Sequence, residues 1–247
     1  MADEVKSETS KDETVCIGLD CGTMHLVCAR SDSKDVNITR NVFLPIDSDV
    51  DISDLSNMTY VESDDGEHFI IGTDAFVYAN VIGQKVSRPM EKGLISPKEI
   101  AAIDVLTLMI RGLIGDVKGK ESYCSYSVPA EAIDEGRSIV YHENVFARIL
   151  KSLGVNYTSI NEAMAIIYSE CAKENFSGIG ISFGAGMANV AVAYKGVEAL
   201  TFSTARAGDW IDKETAEALG MVSNRVTNKK ERYMKLKGEV DIKNKKD

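Results

Sequence analysis

No stretch of this chain approaches the roughly 18–20 consecutive apolar residues that a membrane-crossing helix requires. Its first residues, MADEVKSETSKDET, lack the basic and then apolar pattern of a secretory signal; residues 1–13 read as a disordered leader. Basic charge is scarce. Lys and Arg number 28 against 38 Asp and Glu, a formal net charge of -10, so no broad nucleic-acid surface is expected and only a local basic site is left open. Paired cysteines are missing too. Cys16, Cys21, Cys28, Cys124 and Cys171 form no C-x-x-C, so free thiols in a reducing cytoplasm fit better than a zinc site or a disulfide framework. His25, His68 and His142 lack the i, i+4 spacing of helix-borne metal ligands.

What is present is ordinary globular material: 44% apolar and 27% charged residues over 247 positions, enough for one large domain or two small ones. Residues 15–20 read as a strand, 26–30 as its return, and 36–45 as further strand closed by Pro45. An acidic loop leads to a second hairpin that turns on Asp65 and Gly66. Ser96, Pro97 and Glu99 form a capping-box pattern before a helix apolar on most sides, expected to be buried. A strand closed by Pro129 follows, then an amphipathic helix over 131–154 with Ile139, Phe146, Ile149, Leu150 and Leu153 near one face and Gly154 at its end. Next come a strand over 155–160 and a helix that Asn161 caps. A hairpin over 178–194, a Lys195-Gly196 turn and a third strand lead to a helix capped by Asp209 and ended by Gly220. The basic tail reads as a solvated helix face. Strands alternating with helices define an α/β class.

The sequence repeats itself at two turns. IGLDCG at 17–22 and IGISFG at 179–184 share the order Ile-Gly-apolar-x-x-Gly, each followed by an apolar return strand. A hairpin tip that turns on Gly can aim several backbone N–H groups into one concavity, and such nests attract anions. Asp20, ending the first strand, is a candidate oxygen ligand for a cation bridging phosphates. Plainer readings stand beside these: the glycines as mere turns, Asp20 as a turn cap, Glu162 as an acidic residue favoured by a helix dipole, and Cys21 as an inert small residue.

At these residues the chain resembles the actin-like ATPases, in particular the MreB-type bacterial actins and the DnaK-type chaperone ATPase domains. IGLDCGTMHLV is similar to the first phosphate hairpin, and SVPAEAIDEGRSIVYHENVFARILKSLGVNYTSINEAMAIIYS to the Val-Pro strand end, long helix, strand and connecting helix. GISFGAGMANVAV falls at the second phosphate hairpin, and RAGDWIDKETAE at the helix start that follows it. The resemblance implies an actin-like fold of two lobes, each a mixed β-sheet flanked by helices, with ATP and Mg2+ in the cleft. The first lobe would span 14–160; the connecting helix and the start of an incomplete second lobe would span 161–247. By the same resemblance Asp20 would face the metal through water, Gly22, Thr23 and Met24 would cradle phosphate, and Glu162 would orient the attacking water. Gly184, Ala185, Gly186 and Met187 would form the second cradle. Self-association into filaments is the output of cytoskeletal members.

The pattern also departs from the family. Ser182 and Asn189 stand where carboxylates are usual, Ala185 where the middle Gly is, Met187 where Thr is, and Ala163 where Pro is. After Asp209 only Gly220 and Gly238 are available for an adenine-binding segment. The expectation is weak nucleotide binding with slow or no hydrolysis. Two alternatives remain open: a non-catalytic scaffold that retains the fold, and a chaperone-like ATPase.

Overall fold

The computed structural model of the protein describes residues 14–46, 57–98, 101–117 and 119–234. The leader, most of the acidic loop, Glu99 of the capping pattern and the last thirteen residues lie outside them. In chain order come β1 (Val15–Cys21), β2 (His25–Arg30), β3 (Val36–Arg40), β4 (Phe43–Pro45), β5 (Tyr60–Glu62), β6 (His68–Ile71) and α1 (Gly72–Ile82). Then follow β7 (Met90–Glu91), β8 (Leu94–Ile95), α2 (Ala102–Ile114), β9 (Ser122–Val128), α3 (Ile139–Ser152), β10 (Asn156–Asn161) and α4 (Glu162–Glu170). The series closes with β11 (Gly178–Phe183), β12 (Ala188–Tyr194), β13 (Val197–Thr204), α5 (Gly208–Leu219) and α6 (Ser223–Tyr233).

A five-stranded mixed sheet, ordered β10-β9-β1-β2-β3, carries the first lobe. β1 pairs antiparallel with β2 and parallel with β9, which pairs parallel with β10. The period-2 alternation of β1 sends Val15, Ile17, Leu19 and Cys21 to one face. There α2, against β2 and β3, and α3, against β9 and β10, cover the sheet. Leu106, Ile110, Phe146 and Leu150 close this core; each such side chain contributes about 1.5–3 kcal/mol on full burial.

The second lobe is built on β11-β12-β13. These strands pair antiparallel throughout, whereas the resemblance implies a mixed sheet. One face packs on α4 through Ala163, Met164, Ile167, Ala191 and Ala193. The approach is close because Gly180 has no side chain: a Cβ there would lie 2.2 Å from the Ala163 carbonyl oxygen.

Several elements differ from the sequence reading. The strand expected to run to Pro45 breaks at Asn41, so β3 stays in the five-stranded sheet while β4 pairs with β6 in a separate three-stranded one. α1 was not expected; it leaves β6 directly through Gly72 at φ +68, with no polar cap to announce it. α2 begins at Ala102, well after Ser96, whose hydroxyl accepts from the Lys98 N–H at 3.4 Å. Its buried residues fall on one face rather than most sides, with Asp104 and Arg111 exposed. α3 starts at Ile139, capped by Ser138, because residues 130–134 run across to the second lobe. Asn161 caps α4 as expected, its side chain accepting from Ala163 and Met164. Asp209 sits in the first turn of α5 rather than capping it.

Candidate functional site

The β1–β2 and β11–β12 tips meet. Gly186 lies directly on Thr23: a Cβ at Gly186 would fall 2.3 Å from the Thr23 hydroxyl oxygen and 2.2 Å from the Gly93 nitrogen. Gly93 belongs to the turn between β7 and β8, inserted beside both tips. Its N–H donates to Thr23 Oγ1 at 3.1 Å, and Met187, 3% exposed, fills the space where a Gly93 side chain would stand. Beside this contact opens a cavity of about 570 Å3. Asp20, Gly22, Thr23 and Met24 line it from the first hairpin, Gly184, Ala185, Gly186 and Met187 from the second, and Glu162 from the start of α4. The structure thus brings together every site residue proposed from sequence.

Two hydrogen-bond networks hold the acidic residues. Ser127 Oγ donates to Asp20 Oδ1 at 2.7 Å and accepts from the Cys21 N–H at 2.9 Å. Glu162 Oε2 accepts from Asn189 Nδ2 at 2.7 Å and from Ser182 Oγ at 3.2 Å. Asn189 is fully buried, and its Oδ1 accepts from the Ala130 N–H at 2.9 Å, so its amide joins the segment after β9 to α4. Burial, reinforced by the charge of Asp20, pushes the Glu162 carboxyl up to about 7; the Ser182 and Asn189 donors oppose that rise. The Cys21 thiol is also raised, well above its ordinary value, by burial and then by Asp20, which makes it an inert core thiol.

Two helices complete the walls. The Gly208 and Asp209 N–H groups at the start of α5 donate to the Gly184 and Ala185 carbonyls, seating the second tip on the helix. The basic tail, expected to be a solvated face, instead supplies α6, whose Lys230 lines the cavity together with Met234 beyond its end. Lys230 Nζ pairs with Asp212 of α5 at 2.7 Å, and Thr227 donates to the same carboxylate at 2.7 Å. Asp212 is 2% exposed, so this pair is a buried joint between the helices. Arg40 reaches Glu231 at 2.9 Å and ties α6 to the first lobe. Sequence reading missed these residues because their partners lie far away in the chain; the one available hint was Thr227 and Lys230 spaced i, i+3 on a single face.

Magnesium, implied by the resemblance, is poorly served by this donor set. Among the described residues no three His, Cys, Asp or Glu side chains converge as metal ligands. Asp20 keeps one oxygen free of Ser127, and the second hairpin offers a hydroxyl and an amide that donate to Glu162. The residues do not fit a protein-held divalent cation.

Two lobes on β-sheets, joined through facing glycine hairpins over a cleft, define the actin-like class. The chain belongs to the Volactin family, whose model matches residues 15–247. A search of curated proteins finds no match. Among solved structures, the MamK double helical filament aligns at TM-score 0.70 and 17% identity, over 89% of this chain and 65% of that one. MreB5 of Spiroplasma citri bound to ADP aligns at 0.61 and 16%, over 89% and 62%; the same protein bound to AMPPNP aligns at 0.63 and 13%, over 90% and 63%. The chain therefore spans under two thirds of the length of these structures, and at such identities the likeness establishes the fold.

Proposed function

We propose that this protein is a cytoplasmic actin-like nucleotide-binding protein that holds ATP or ADP between its two hairpin tips and self-associates into filaments, with slow or absent hydrolysis. The observation that carries this reading is the seating of Gly186 on Thr23, which makes one cleft of two glycine turns far apart in sequence. In that role the tips receive the phosphate chain on backbone N–H groups, and lobe closure transmits occupancy to the outer surfaces. The hydrolysis expectation follows from Glu162. A carboxylate already accepting from Ser182 and Asn189 is poorly placed to orient a water, and phosphoryl transfer depends on that positioning. The MreB5 structures bound to ADP and AMPPNP and the MamK filament support the nucleotide and assembly parts.

Calorimetric titration with ADP and with AMPPNP tests the reading. Saturable heat that weakens when Gly186 is replaced by Val is expected, together with sedimentation of the protein when nucleotide is present. No heat with either nucleotide would refute it. The scaffold reading has its own support: the Thr23 hydroxyl is engaged by the Gly93 N–H and the Met187 side chain is buried, so protein groups already occupy one side chain of each tip. Sedimentation that is independent of nucleotide, without any heat of binding, is its signature.

A further inference from the structure

We infer that the cleft receives the phosphate chain of its nucleotide without a divalent cation, and that Asn189 is the positioning residue responsible. The inference rests on the nucleotide reading and concerns what neutralises the ligand. Amide orientation carries the argument. The Ala130 N–H needs an acceptor and finds it in Asn189 Oδ1, so the Asn189 NH2 group is turned to Glu162 Oε2. A carboxylate at this position would present a second oxygen there; the amide presents hydrogens, which repel a cation. Ser182 directs its O–H at the same Glu162 oxygen and adds a second donor. One face of Glu162 is thereby closed to coordination, and Ser127 occupies Oδ1 of Asp20. Mg2+ demands near-octahedral oxygen ligation, keeps several waters, and is ordinarily held by one or two carboxylates together with substrate phosphates; here the second oxygen of Asp20 is the one carboxylate oxygen of the first hairpin left to it.

Groups suited to an anion stand close by. Among the described residues, no group accepts a hydrogen bond from the N–H of Gly22, Thr23, Ala185 or Gly186. All four residues line the cavity, as does Lys230, whose ammonium is paired with Asp212. Backbone N–H groups converging from two turns hold phosphate oxygens directly. Asn189 touches neither the cavity wall nor the ligand space; it acts by holding Glu162 and Ala130 in register.

The test titrates ADP into the full chain, once in excess EDTA and once in excess magnesium chloride. Binding in EDTA at least as tight as in magnesium is expected, because magnesium draws ADP into its own complex, and a loss of about tenfold or more in EDTA overturns the inference while leaving the nucleotide reading intact. No heat in either buffer removes the nucleotide reading, and the inference with it. Electron paramagnetic resonance of Mn2+ gives a readout independent of affinity for ADP. The wild-type ADP complex should leave the Mn2+ spectrum as in its absence, and immobilised Mn2+ in that complex overturns the inference. The Ser182→Asp/Asn189→Asp variant, with circular dichroism to verify folding, should immobilise Mn2+; a folded variant that does not also counts against it. Should the variant not fold, the wild-type spectrum still decides.

Discussion

Replacing Gly186 with Ala examines the meeting of the two hairpins most directly. The added Cβ would lie 2.2 Å from the Gly93 nitrogen, 2.3 Å from Thr23 Oγ1 and 3.0 Å from the Lys92 carbonyl carbon. Two of these neighbours are backbone, so no rotamer change removes the contact, and the tips have to separate by roughly an ångström to restore ordinary packing. Separation disturbs the Thr23–Gly93 hydrogen bond and unseats Met187 from Gly93. Overpacking of this kind costs about 1–3 kcal/mol, which for a domain of this size lowers Tm by roughly 3–10 °C. Gly112→Ala is the control. It is an exposed glycine of α2 where an added Cβ meets nothing within 4 Å, and it should gain about 0.5–1 kcal/mol from helix propensity. Thermal unfolding of the ligand-free protein, with hydrogen exchange of the segments around residues 93 and 186, reads both effects. A Gly186→Ala protein with wild-type Tm and unchanged exchange at both segments would refute the contact between the tips.

Two further outcomes follow from the packing. His142 is 1% exposed, lies beside Phe146 with the rings tilted and their centroids 4.8 Å apart, and neither ring nitrogen has a hydrogen-bond partner among the described residues. Burial, aided by Arg137, lowers its pKa from 6.5 to about 4, so the folded state resists protonation. The protein should lose stability as pH falls from 6.5 toward 4, by about 3 kcal/mol in all from this residue. Urea unfolding across that range should show a shallower acid slope for His142→Leu, and parallel slopes would contradict the assignment. Lys230→Ala strands the buried Asp212 carboxylate with Thr227 alone and should cost about 3 kcal/mol. Asp212→Asn/Lys230→Met should recover much of that loss in denaturant melts. A double variant as unstable as the single one would show that the pair is not the joint between α5 and α6.

Much of the architecture was readable from local chemistry. The alternation of β1, the Gly66 and Lys195-Gly196 turns, the Asn161 cap and the left-handed Gly220 at the end of α5 are each set by neighbours a few residues apart. The pairing of the two Ile-Gly hairpins could be suspected for the same reason, since each tip is specified by its own glycines. α1 escaped notice because its start leans on Gly72 and tertiary packing of Ala75 and Ala79 rather than on a polar cap. The two-residue strands β7 and β8 are too short to carry a period.

The chain's own order of residues determined the strands, most of the helices, the glycine tips and the lack of carboxylates on the second hairpin. Only the tertiary structure decided what those residues do to one another. It turned the Asn189 amide toward Glu162, gave the Thr23 hydroxyl to Gly93, and brought Lys230 to the cavity wall. The physical reason is range. Turns and caps are settled by hydrogen bonds within one chain segment, whereas the direction of a buried amide depends on donors many tens of residues away, such as Ala130, which meet it only once the two sheets have packed.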